Sequence, residues 1–143
     1  MPTIHLQQRS NPFVRLIATA LSLIPAIAYA QAPAATQPIT RIDLQRHDLS
    51  ITGWETVQVR VDFAPGATAA KHRHPGEEII YVLEGSLEYE VEGRPAVTLH
   101  PGQVLFIPSG TPHSAKNTGK SKASELATYV VEKGKPLLEV VAP

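Results

Sequence analysis

The stretch GATAAKHRHPGEEIIYVLEG, residues 66–85, sets two histidines one residue apart and places an acid just beyond a Pro-Gly turn. In a β-strand, residues i and i+2 point to the same side. The imidazoles of His72 and His74 can therefore reach one point in space. Glu78 follows the Pro75-Gly76 turn, and its carboxylate can return to that point on the adjacent strand. Glu77 precedes it by one residue, and alternation sends it the other way. A second stretch, GQVLFIPSGTPHSAKN over residues 102–117, brings a third histidine, His113. Pro108, Gly110 and Pro112 restrict the backbone just ahead of it. Three neutral imidazoles and one carboxylate suit a borderline divalent metal ion. Four protein ligands in an octahedral shell leave up to two positions for water, substrate or dioxygen.

Outward from these stretches the chain is punctuated at short intervals by Pro65-Gly66, Pro75-Gly76, Gly85, Gly93, Pro101-Gly102, Gly110, Gly119 and Gly134. The pieces between alternate. Val57, Val59, Val61 and Phe63 fall on one strand face, with Thr56, Gln58, Arg60 and Asp62 on the other. Leu87, Tyr89 and Val91 alternate with Glu88, Glu90 and Glu92, and Val97 and Leu99 resume the pattern after a turn. Period two argues half-buried strands, and many short strands with Gly/Pro turns argue an all-β sandwich or barrel.

The first thirty residues read differently. Arg9 and Arg15 precede an apolar run from Leu16 to Ile24, then Pro25 and the small-residue ending Ala28-Tyr29-Ala30. This is the layout of a cleavable secretory signal over residues 1–30. The apolar stretch is short of the ~20 residues that a membrane span needs. The expected product is a periplasmic or secreted protein that does not engage a membrane once the signal is removed. Residues 31–38, QAPAATQP, read as a flexible lead-in, and residues 39–143 as one barrel domain. The full chain of 143 residues carries 13 basic and 13 acidic residues; loss of Arg9 and Arg15 leaves a formal charge of −2. No basic surplus exists to meet a phosphate backbone, so a nucleic-acid partner is not expected. The absence of cysteine excludes disulfides, thiolate zinc sites and cysteine nucleophiles.

The two stretches together resemble the signature of the cupin superfamily. Its first motif appears as Gly66, His72, His74, Glu78 and Gly85, and its second as Gly102, Pro108, Gly110, His113 and Asn117. All ten positions match, an agreement of ~10⁻¹³ per placement at ordinary residue frequencies. The short spacing from Gly85 to Gly102 is similar to that of compact single-domain members, the type-2 conserved-barrel, quercetin-dioxygenase-like proteins. The resemblance implies a double-stranded β-helix, a jelly-roll-like barrel, with one metal inside one end. Position by position, His72, His74, Glu78 and His113 would be its ligands. Similar proteins use iron, manganese, zinc, nickel, copper or cobalt, and they usually pair as homodimers.

The function this implies is a metal-dependent, oxygenase-like oxidoreductase acting on a small organic substrate. The alternatives are a metal-dependent lyase, decarboxylase or isomerase, or a non-catalytic module that binds a small ligand or metal. A Glu or His in the pocket beyond the four ligands would favour an enzyme, and an all-apolar wall would favour binding. Elsewhere, His47 reads as lying in a polar loop and His100 at a solvated strand end. Tyr81, Tyr89, Phe106 and Tyr129 read as core or pocket wall, core being the expected role for each. Trp54 reads as core or subunit contact, and Lys116, Lys120 and Lys122 as a solvated loop.

Overall fold

A computed structural model describes residues 38–142. The signal read over residues 1–30, and all but Pro38 of the lead-in, lie outside the described residues. These form ten strands: β1 (Ile39–Asp48), β2 (Trp54–Phe63), β3 (Thr68–Arg73), β4 (Gly76–Glu84), β5 (Leu87–Val91), β6 (Val97–Leu99), β7 (Val104–Ile107), β8 (His113–Asn117), β9 (Ala123–Glu132) and β10 (Glu139–Val140). No helix occurs among the described residues, and so none is long and apolar enough to cross a membrane. The strands make two five-stranded sheets, ordered β1-β2-β9-β4-β7 and β10-β3-β8-β5-β6. Every described pairing is antiparallel.

The alternation read in the sequence explains the packing. In β2, Val57, Val59, Val61 and Phe63 are all buried, while the residues between them are half-buried. β5 turns Leu87, Tyr89 and Val91 inward to meet them from the other sheet. Each such apolar side chain contributes roughly 1.5–3 kcal/mol on full burial. β9 is the central strand of its sheet, paired along its whole length with β2 and again with β4. β4 starts so close to it that a Cβ on Gly76 would lie 2.1 Å from the Val130 carbonyl oxygen. Gly85 ends that strand with φ +74°, and a Cβ there would lie 2.7 Å from Ala123 Cα. Both positions admit only glycine.

Asn117, at the end of β8, is a buried staple. Its Nδ2 lies within 3.2 Å of the carbonyl oxygens of Phe63, Ala64 and Ser121, and its Oδ1 accepts from the Gly119 N–H at 2.9 Å. A buried amide satisfied in this way ties the exit of β2 to the β8–β9 turn.

Two of the four aromatic expectations require correction. Tyr89 and Tyr129 are buried, but Tyr81 and Phe106 are 43% and 50% exposed. Because Glu78, Ile80 and Val82 face inward, Ile79, Tyr81 and Leu83 must face out. Phe106 and Val104 stand opposite Ile79 and Tyr81 on the edge strand β7 and share that outer face. His47 is also displaced from its expected loop: it lies exposed in β1, opposite Thr56. His100 does sit exposed at a strand end, beside Ser86.

Candidate metal centre

β3 and β4 belong to different sheets, so the Pro75-Gly76 turn crosses the barrel instead of forming a hairpin. This corrects the expectation that Glu78 returns on an adjacent strand: it faces the histidines from the opposite sheet. His72 and His113 are direct cross-strand partners in the β3–β8 pair, and directly opposed residues share a face. His74 lies just past the end of β3, where its carbonyl oxygen accepts from the Gly110 N–H at 3.0 Å. The Pro108–Pro112 loop therefore positions two ligand candidates at once: it leads into His113 and anchors His74.

The geometry brings together all four residues singled out from the sequence. His72, His74, Glu78 and His113 are all buried. One ring nitrogen from each histidine lies within 4.8 Å of the others. Glu78 Oε2 flanks this cluster, 3.0 Å from His113 Nε2 and 3.3 Å from His74 Nε2. Glu77, its neighbour, is only half-buried and points away.

Each imidazole is held from behind. Nδ1–H of His72 donates to the Ala70 carbonyl at 2.7 Å, that of His74 to Leu137 at 2.6 Å, and that of His113 to Thr111 at 3.0 Å. These bonds fix the tautomer, so in the neutral rings the Nε2 lone pairs turn inward together. Lone pairs and a carboxylate converging in a buried space repel unless a cation lies between them. His74 Nε2 and Glu78 Oε2 are buried without an aligned hydrogen bond, despite their proximity. The donor set and its unsatisfied atoms fit a divalent cation.

Without a cation, a proton shared between His113 and Glu78 relieves the same repulsion. Burial opposes the Glu78 charge, but His113 and His74 outweigh it and hold the carboxyl well below its usual range. Burial, with repulsion from the other two rings, pushes His72 down to about 4, so its lone pair stays available at neutral pH. For His113, burial favours the neutral ring, yet the Glu78 carboxylate raises it overall.

The centre opens onto a cavity of about 190 Å³. Its walls include Val61, Phe63, Ile80 and Ala115, and its mouth includes Leu138 and Val140. Two polar residues that were not singled out from the sequence also line it, Glu125 and Arg41. Tyr89 Oη donates to Glu125 Oε2 in a buried pair. Burial first, and then the Glu78 charge, pushes Glu125 up to about 8. Burial and the Glu125 charge raise the Tyr89 phenol well above its ordinary value. A signal for Glu125 was present: in β9 it shares the alternating face of Ala123, Ala127, Tyr129 and Val131. Arg41 lies in β1 opposite Val61, and so on the inner face. Its Nη2 donates to Tyr129 Oη at 3.1 Å.

Comparison with known proteins places this architecture. Residues 59–137 match the Cupin_2 family, described as a cupin domain. The chain is 39% identical over 87 residues to germin-like protein subfamily 2 member 2 of Arabidopsis thaliana, covering 55% of this chain and 40% of that protein. It is 36% identical over 73 residues to an oxalate-binding protein of Thermotoga maritima, covering 50% of this chain and 60% of that one. The crystal structure of the DMSP lyase DddQ from Ruegeria pomeroyi superposes with a TM-score of 0.55 at 30% identity, covering 62% of this chain and 44% of that chain. The chain thus spans less than two thirds of each of these proteins. Two facing antiparallel sheets, a three-histidine cluster at one end and a family match over more than half of the sequence lead to one conclusion: the chain belongs to the cupin family.

Proposed function

We propose that this cupin is a metal-dependent enzyme acting on a small organic molecule, with one divalent ion held by His72, His74, Glu78 and His113. The ion would supply Lewis-acid polarisation of a substrate oxygen. The observation that carries the enzymatic reading is the Tyr89–Glu125 pair. A module that only binds metal or ligand has no need of a second buried carboxyl beside the first. A carboxyl pushed up to about 8 stands where a proton can be held and released near neutral pH. A cation in the centre would offset the Glu78 charge and lower the Glu125 pKa from about 8 toward neutral pH, which strengthens that role.

The pair also bears on the reaction class. The oxygenase-like expectation turns on a redox-active ion and an open position, with proton transfer at most an accessory step. Proton transfer at a polarised carbon requires an acid–base group, so the lyase or isomerase alternative is the better supported. The relatives' own names span a lyase and an oxalate-binding protein, and so both catalysis and binding. A cavity of about 190 Å³ lies below the roughly 300–1,000 Å³ of drug-sized sites. A cavity of this size favours substrates smaller than the flavonoid-like diols suggested by the quercetin-dioxygenase resemblance.

The test is to strip the protein, reload it separately with iron, manganese, nickel, copper, cobalt and zinc, and follow product mass and oxygen uptake on small acids and enols. Turnover without oxygen, lost in Glu125→Gln and His113→Ala, is the expected result. Turnover that consumes oxygen and survives Glu125→Gln would return the assignment to an oxygenase. Saturable binding without turnover under every metal would make it a binding module. The remaining proposals concern the chain's surroundings. Export of a product beginning at Gln31 is checked by intact mass. A homodimer would bury the outer apolar face of β4 and β7.

A further inference from the structure

Arg41 stands apart from the other described arginines. Arg46, Arg60 and Arg73 each pair with a carboxylate, and Arg94 donates to the Phe106 carbonyl. Arg41 lines the cavity, and among the described residues no acid pairs with it. Among the described residues its side chain makes one hydrogen bond, to the phenol of Tyr129. That bond uses one of five guanidinium N–H donors. Tyr129 accepts it and keeps its own O–H free to donate. The guanidinium carbon lies 5.9 Å from the Tyr129 ring centre, and that ring lies 4.7 Å from the His74 ring. The cation is thus one aromatic ring away from the histidine cluster.

We propose that Arg41 and Tyr129 form the docking site for the carboxylate of a short organic acid whose remaining polar atoms face the three histidines. The guanidinium fork matches a carboxylate in two-point geometry, and the Tyr129 hydroxyl supplies a third donor. The apolar walls from Val61, Phe63 and Ile80 suit a short aliphatic body. A cavity of about 190 Å³ with a mouth at Leu138 and Val140 suits a small organic acid. Arg41 is exposed at the cavity edge, and although partial burial works against its charge, Tyr129 and Glu78 raise its proton affinity overall. The inference deepens the proposed function, and it rests on that reading only in placing the rest of the substrate at the histidines.

The experiment titrates lactate and malonate, with lactamide as the uncharged control, into the parent, Arg41→Gln, Arg41→Lys and Tyr129→Phe by calorimetry. Each protein is measured both metal-loaded and stripped, and its metal content is determined by elemental analysis. The expected result is a carboxylate affinity that falls roughly 10- to 100-fold in Arg41→Gln at unchanged metal content, with lysine restoring only part of it. Lactamide should bind parent and variant alike. Equal lactate and malonate affinities in parent and Arg41→Gln, in both loaded and stripped protein, would overturn the proposal, as would no binding of either acid by the parent. A parent that takes up no metal would overturn the metal-centre reading instead, and the stripped-protein titrations would still decide the role of Arg41.

Discussion

Glu125 should make the metal-free barrel less stable as pH rises, and Glu125→Gln should remove that dependence. The ordinary glutamate value is 4.5, and burial against the Glu78 charge pushes Glu125 up to about 8 in the fold. Between these values the folded chain holds a proton that the unfolded chain has released. Stability associated with this group is therefore fully present below about 4.5 and is lost as pH rises through about 8. At about 1.4 kcal/mol per tenfold change in proton affinity, the gap sets a ceiling of roughly 5 kcal/mol. Relaxation and water entry reduce it, and we expect about 1–3 kcal/mol. Glutamine keeps the shape and still accepts from Tyr89 Oη, so the substitution isolates the charge. Urea denaturation of the metal-free parent and variant, at pH 4.5 and pH 8.5, measures it. The variant should match the parent at the lower pH and exceed it at the higher. A difference between the two proteins that does not change with pH would show that Glu125 is not held protonated in the fold, and the acid–base role would fall with it.

Removing residues 137–143 deletes the Leu137 carbonyl that orients His74; metal affinity should drop about 10- to 100-fold, while removal of 141–143 alone should leave it intact, as read by competition with a chelator. Glu78→Gln should weaken metal binding markedly and Glu77→Gln hardly at all, since only Glu78 reaches the histidines; equal losses in elemental analysis would contradict the strand register. Metal affinity should begin to fall as His113, which Glu78 raises, takes up a proton, and should fall further toward about pH 4 as His72 does; a flat profile would exclude a histidine centre. Phe106→Lys, in the exposed apolar face, should convert a dimer to a monomer in light scattering, with the melting temperature of the barrel little changed.

The cluster of His72, His74, Glu78 and His113 was legible in the sequence because its members fall in two short motifs. His72 and His74 are separated by one residue, Glu78 by one turn, and the proline and glycine of the second stretch restrict the approach to His113. The barrel was legible where one strand face is uniformly apolar, as in β2 and β5. What escaped depends on contacts between distant strands. Arg41 gains its meaning only from pairing with Val61 and reaching Tyr129, 88 residues away. β1 itself, IDLQRHD after its first residues, carries polar side chains on both faces and gave no periodic signal. The outward turn of Tyr81 followed from the inward turn of Glu78 by parity alone; the general preference of aromatics for the core hid it. The crossing of Pro75-Gly76 between sheets is a tertiary event that no local pattern distinguishes from a hairpin.

The division of the site between the two sheets bears on why its polar groups persist. β3 and β8 belong to one sheet, with His72 and His113 on them and His74 just beyond β3, while the other sheet carries Glu78 on β4 and Glu125 on β9. A cation bridging His113 and Glu78 would thus link the sheets across the core and offset the cost of burying Glu78. Glu125 has no such compensation: it touches Tyr89, not the histidine cluster, and its repulsion with Glu78 raises its proton affinity. An apolar residue at this position would remove that repulsion but leave the buried Tyr89 O–H without its acceptor. On the proposed reading, a buried acid that lies beyond the four candidate ligands and lines the same cavity would serve the chemistry performed on what enters it.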